Sequence, residues 1–94
     1  MSSAFRFSEA GSLALHAMAF LGADHEKALT VREIARGLSV SENHLAKVMQ
    51  RLAREGLVES VRGPKGGFKV RGSPDEISLL DVYEAIDGPL TVTR

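Results

Sequence analysis

The chain has 94 residues, of which 26% are charged and 44% hydrophobic, and its formal net charge is +0. This length supports one compact domain over residues 1–94, because two domains would each be too short to bury an adequate core. The chain has no cysteine, which excludes disulfides and thiolate metal sites. It has neither a signal peptide nor the roughly 20 consecutive apolar residues of a membrane span. We therefore expect a cytoplasmic protein with no membrane contact.

The first predicted element is an apolar helix. Ser8 followed by Glu9 is typical of a helix start, because a serine oxygen caps backbone amides and an acidic residue suits the helix dipole. The run to Gly22 is apolar over much of its circumference. It therefore predicts a helix that is buried or that also contacts a partner.

Two closely spaced helix starts come next. The stretch from Thr30 to Glu33 matches a capping box, in which the threonine side chain and the glutamate side chain each satisfy a backbone amide. Gly37 stands where a left-handed residue would end this short helix. Ser41 is a second cap only a few residues later. Two capped helices separated by so tight a turn predict a helix-turn-helix.

The second helix of this pair is predicted from about Glu42 to Glu55, with Gly56 after it. Its apolar residues follow the spacing i, i+3, i+4, i+7, which gives one buried stripe: Leu45, Val48, Met49 and Leu52. The remaining side chains are polar or basic and must face away from the core: Asn43, His44, Lys47, Gln50, Arg51 and Arg54.

A hairpin and a last helix complete the prediction. Residues 57–61 and 68–71 are predicted strands, because they alternate in part and contain β-branched or aromatic residues. Residues 63–67 form the glycine-rich tip between them. Ser78 caps a final apolar helix that stops at residues 88–89. The order of elements predicts a mainly α fold with a small β-hairpin, a winged helix-turn-helix domain.

The neutral total conceals a polarised chain. Residues 41–71 contain seven basic and three acidic residues, a balance of +4, whereas residues 72–94 contain one basic and five acidic residues, a balance of −4. A basic middle segment is typical of a protein that binds a polyanion. An unevenly charged, solvated surface would give the same count.

The predicted second helix carries candidate contacts to double-stranded DNA. A helix in the major groove needs polar side chains on its outer face, and residues of the first turn normally reach base edges. Asn43 and His44 lie in that turn, whereas three later residues are better placed for phosphates: Lys47, Arg51 and Arg54. The hydroxyls of Thr30 and Ser41 are further candidates for phosphate contact.

The hairpin tip carries the other candidates. Glycine lets the backbone approach a surface closely, and Pro64 stiffens the turn. Arg62 and Lys65 project from it, next to Gly63. A tip of this size could enter the minor groove, whose negative potential attracts arginine.

The hairpin also carries a family resemblance. Residues 57–68 read L-V-E-S-V-R-G-P-K-G-G-F and resemble the wing signature of the Rrf2 family of bacterial transcription regulators. The resemblance extends over residues 7–10, 14–17, 77–82 and 84–89, and residues 41–48 most resemble the recognition helix of the nitric-oxide-sensing repressors in that family. It implies a homodimer that binds a palindromic operator, usually as a repressor, with DNA contacts at Ser41, Asn43, Arg62 and Gly63.

The chain also departs from that family. Members usually continue past the Gly-Pro that matches residues 88–89 with a loop and a long dimerisation helix, and in many the loop holds three cysteines that bind an iron–sulfur cluster. None of this occurs before Arg94. We therefore expect no metal or cofactor within these residues, and a cluster only in a longer native chain.

Two alternatives remain beside a DNA-binding regulator. The protein could be a regulator that senses a cluster or small molecule through a segment absent here, or a winged helix used for protein–protein contact. An enzyme is not expected, because no spacing suggests a nucleophile with its base or a pair of carboxylates for acid–base chemistry.

Overall fold

The computed structural model describes residues 8–24, 26–64 and 66–88. Within these residues the helices are α1 (Glu9–Gly22), α2 (Val31–Leu38), α3 (Glu42–Arg54) and α4 (Leu79–Asp87), with the strands β1 (Val58–Val61) and β2 (Gly67–Val70) between α3 and α4. A short 3-10 helix, Pro74–Glu76, precedes α4. The arrangement is a winged helix-turn-helix, as the order of patterns predicts. Lys65 and Pro89, which the sequence interpretation used, lie outside the described residues.

The helix starts confirm the predicted caps. At the start of each α-helix, the side-chain oxygen of the capping residue accepts a hydrogen bond from a backbone N–H. The four capping residues are Ser8, Thr30, Ser41 and Ser78. At α2 the capping box is complete, because the Thr30 hydroxyl accepts from the Glu33 N–H at 3.1 Å and the Glu33 carboxylate accepts from the Thr30 N–H at 2.9 Å. These starts were predictable because both partners lie within one turn of the chain.

The predicted end of α2 is wrong. The helix continues through Gly37 to Leu38, and the left-handed residue is Ser39, with φ 58° and ψ 48°. Gly37 instead lies against the ring of Phe20 on α1, and this ring would have to move to make room for a Cβ at this position. Gly37 is therefore a point of close contact between α1 and α2 and not the end of the helix.

The hairpin is antiparallel, and it is joined by a third segment of chain. Its register pairs Val58 with Val70 and Val61 with Gly67, so both strands begin one residue from the predicted positions. Leu29, just before α2, exchanges two backbone hydrogen bonds with Phe68 of β2, at 2.8 and 2.7 Å. The sequence interpretation missed this bridge, which fixes the wing against the start of the helix-turn-helix.

The core forms where the helices meet the hairpin. The stripe predicted on α3 is confirmed, since Leu45, Val48, Met49 and Leu52 are all buried. Other fully buried side chains come from α1, α2 and both strands: Leu21, Ile34, Val58 and Val70. The strands therefore gain their stability by packing on the helices, as expected for a sheet of only two strands. In contrast, α4 leaves Leu79 and Leu80 58% and 42% exposed.

Candidate DNA-binding surface

The outer face of α3 is polar and open. Successive helix residues are about 100° apart, so the side chains opposite the buried stripe are Asn43, Lys47, Gln50 and Arg54, and all four are exposed. This face carries two cations and two amides. It can offer hydrogen bonds to base edges and positive charge to phosphates.

His44 and Arg51 lie on one flank of that face. Together with Lys47 they line a groove of about 230 Å³ whose other wall includes Ala10 of α1 and Ile86 of α4. Arg51 also lines a second groove, with Asp81 and Glu84 of α4. Both side chains are exposed, but Arg51 stands between the basic face of α3 and the acidic edge of α4.

The hydroxyls predicted to contact phosphates already serve as helix caps. The Ser41 oxygen accepts from the His44 N–H at 3.3 Å. Thr30 donates to the Glu33 carboxylate through its N–H and its hydroxyl. The hydrogen bond from the Thr30 backbone holds the pKa of Glu33 below its ordinary value, and the positive charges of Lys27 and Arg36 act in the same direction. A phosphate at Thr30 would compete with Glu33 for these donors.

The start of α2 adjoins both α3 and the wing. Arg32, in the first turn of α2, places its Nε 3.5 Å from Oε2 of Glu42, the first residue of α3. Thr30 and Glu33 line a groove with Pro64 and Gly66 of the wing tip. The first turn of α3 and the wing tip therefore flank the same short segment of α2.

The wing tip is exposed. Arg62, Gly63 and Pro64 are all accessible. Gly63 has φ +110° and no atom within 4 Å of the place a Cβ would occupy, so the turn requires a glycine conformation without any close neighbour. Behind the tip, Lys69 and Glu59 pair across the strands at 3.8 Å. Lys65 lies outside the described residues, and its predicted role is unchanged.

Lys27 is a candidate that the sequence interpretation missed. The sequence interpretation assigned no role to the turn between α1 and α2, but Lys27 in that turn lines the groove between the start of α2 and the wing tip. A single lysine in a polar turn gives no sequence signal. Its position became evident only once the Leu29–Phe68 bridge placed this turn beside the wing.

The residues present do not fit a metal or iron–sulfur site. The chain has no cysteine to supply thiolate ligands. In the described ranges, no three His, Asp or Glu side chains stand close enough together to hold a metal ion. The same part of the chain contains no helix with both the length and the apolar character of a membrane span.

A helix-turn-helix with a polar, cationic outer helix and an adjoining hairpin is the arrangement of winged helix-turn-helix transcription regulators. The profile of the Rrf2 family, described as an iron-dependent transcriptional regulator, matches residues 7–94. The chain therefore belongs to the Rrf2 family, as its wing signature predicts. This is a family of transcriptional regulators and not of enzymes.

Individual relatives agree with this assignment. The transcriptional regulator NsrR of Geobacillus kaustophilus is 40% identical over 82 residues, which cover 86% of this chain and 56% of that protein. The structure of CymR, the global cysteine regulator of B. subtilis, superposes with a TM-score of 0.89 at 30% identity, over 96% of this chain and 70% of that one. T. potens IscR follows with a TM-score of 0.83 at 28% identity, over 96% and 66% of the two chains. The chain spans about half the length of the curated relatives it matches.

Proposed function

We propose that this chain is the DNA-binding domain of a regulator that binds a palindromic operator as a homodimer in the cytoplasm and represses transcription. The observation that carries the proposal is the exposed, cationic outer face of α3 next to the exposed wing tip, with the start of α2 between them. Two protrusions on neighbouring elements can reach one duplex together.

In this proposal α3 lies in the major groove. Asn43 and His44, in its first turn, read base edges, because an amide or imidazole can donate to and accept from a base. Lys47 and Arg51 bind phosphates, which gives affinity without sequence information. The helix caps at Thr30 and Ser41 approach the backbone of the same site.

The wing enters the adjacent minor groove. Arg62 supplies the cation, and the exposed Gly63 and Pro64 let the turn approach closely. Lys65 adds a second positive charge at the tip. The Leu29–Phe68 bridge supports this role, because a wing fixed to the helix-turn-helix loses little freedom on binding.

Two copies would place their α3 helices in major grooves about 34 Å apart, one helical turn. A longer native chain would supply the family's dimerisation helix and, where cysteines occur in it, an iron–sulfur cluster. A winged helix used only for protein contact is less well supported, because it would not need the two cations on the outer face of α3 and a third, Arg51, on its flank. A module of that kind would bind its protein partner even at high salt and would not bind a DNA duplex.

The wing is tested with paired arginine variants. Arg62→Ala should weaken binding to a duplex selected from a random pool and reduce the magnitude of the salt slope by about 0.9, the value for one phosphate contact. Arg71→Ala is the control, because it removes the same charge from the opposite end of the hairpin, where its guanidinium lies beside Gly56. Equal slopes for Arg62→Ala and the unaltered chain would contradict the role of the wing.

Base reading is tested at Asn43. Asn43→Ala should cost about 1–3 kcal/mol on the selected duplex and much less on random duplex DNA, because only a base contact discriminates between sequences. Equal losses on both duplexes would argue against base reading. Sedimentation of the chain on the selected duplex gives the stoichiometry, and one protomer per palindrome would refute the dimer.

A further inference from the structure

The start of α2 and the wing tip enclose a groove of about 390 Å³, outside the surface formed by α3. It is lined by Lys27, Ala28, Thr30, Glu33, Pro64 and Gly66. The groove therefore joins the turn before α2 to the tip of the hairpin. The charged and polar side chains among these residues, Lys27, Thr30 and Glu33, are on the α2 side, and all three are exposed.

The two walls are held in a fixed relation. Leu29, which lies in the chain between the lining residues Ala28 and Thr30, exchanges backbone hydrogen bonds of 2.8 and 2.7 Å with Phe68. Gly67 has φ +138°, and a Cβ there would run into the carbonyl group of Leu29. The approach is thus too close for any side chain at this position, and the bridge holds the backbone two residues after Lys27 against the wing.

The groove contains one acidic side chain, Glu33, whose charge is already engaged. Its Oε1 accepts from the Thr30 N–H at 2.9 Å and from the Thr30 hydroxyl at 3.3 Å. The carboxylate also lies at the N-terminal end of α2, where the helix dipole compensates a negative charge. Of the described residues that line the groove, Lys27 is the one with a positive charge, and it is exposed to an external anion.

The geometry of a DNA duplex indicates which anion would lie in this groove. A major groove and the adjacent minor groove are separated by one sugar–phosphate strand. If α3 occupies the first groove and the wing the second, that strand must run between them. The start of α2 lies between them, because Arg32 contacts Glu42 of α3 on one side and Thr30 faces Pro64 on the other.

We propose that the Lys27 ammonium group binds a phosphate of this intervening strand, so that the groove between α2 and the wing is part of the DNA-binding surface. This inference rests on the proposed function and adds to it a contact that the sequence does not indicate. Lysine acts here as a point charge, so the contact adds affinity and fixes the wing's orientation without selecting sequence.

The test compares Lys27→Gln with Arg36→Gln. Arg36 is exposed in the last turn of α2, and both cations act on Glu33, so each variant removes one positive charge with a similar effect on the cap. Binding is measured by salt titration on a random-sequence duplex of roughly 30 base pairs, about three helical turns. Urea unfolding of both variants checks that they are folded.

We expect Lys27→Gln to reduce the magnitude of the salt slope by about 0.9 and the affinity near 0.1 M salt by about eightfold. Arg36→Gln should leave the slope unchanged. An unchanged slope for Lys27→Gln, or an equal change in both variants, would overturn the contact while leaving the proposed function intact. If the unaltered chain binds no duplex at any salt concentration, the proposed function fails, and the contact fails with it.

Discussion

Replacing Gly67 with alanine tests how the wing is attached. Gly67 begins β2 with φ +138°, a conformation that side chains rarely adopt, and its Cβ would meet the backbone of Leu29 and Thr30. Backbone atoms cannot turn aside as the end of a flexible side chain can. The methyl group must therefore separate β2 from the segment before α2.

The cost can be worked out from these contacts. A non-glycine residue forced into such a conformation costs of order 1–3 kcal/mol. Separation also breaks the two hydrogen bonds between Leu29 and Phe68, each with a net contribution of about 1 kcal/mol. The expected loss in the free energy of unfolding is about 4 kcal/mol, a large share of the 5–15 kcal/mol that is typical of domains.

Gly63→Ala is the matched control. Gly63 also has a positive φ, +110°, but nothing lies within 4 Å of its Cβ position, so this variant suffers the backbone strain alone. Urea unfolding followed by circular dichroism should place Gly67→Ala about 2 kcal/mol below Gly63→Ala. If the two variants lose the same free energy, the Leu29 contact does not hold the wing and the reasoning is refuted.

Two further predictions concern helix starts. The Ser8 hydroxyl accepts a hydrogen bond from the Gly11 N–H at 3.0 Å and donates one to Asp87 of α4 at 2.6 Å. Ser8→Ala should therefore lower the free energy of unfolding by about 1–2 kcal/mol. An unchanged urea midpoint would show that neither hydrogen bond contributes to stability. The pKa of Glu33 is below its ordinary value of 4.5, mainly because of the hydrogen bond from the Thr30 backbone. The stability that the ionised carboxylate adds is therefore present above pH 4.5, and it is lost as the pH falls through the lowered pKa. Glu33→Gln should therefore be less stable than the unaltered chain at pH 7 and show a weaker decline in unfolding free energy towards about pH 3; equal acid declines would contradict this.

Local features of the sequence predicted most of the fold. Helix starts were correct because a cap and its amide lie three residues apart, as at Ser41 and His44. The buried stripe of α3 was correct because helical periodicity alone separates Leu45 from Lys47. The start of β1 and both ends of β2 were displaced by one residue, because hydrogen bonding across the hairpin decides them.

The candidate DNA-binding surface was predictable only in part. Residue types and periodicity predicted that Asn43 and Lys47 face outward, and the glycine-rich turn predicted that Arg62 projects from the wing tip. Periodicity did not show that Arg51 stands beside the acidic edge of α4, because that depends on which helix packs there.

The sequence by itself determined the order of elements, the face that each helix buries and the family, since these depend on neighbours along the chain. Only the tertiary structure decided which distant segments pack on Gly37 and Gly67 and where Lys27 lies. Each of these depends on a contact with a distant segment, with Phe20 or across the Leu29–Phe68 bridge. Local periodicity does not specify which distant segments meet, because packing of the whole core selects them.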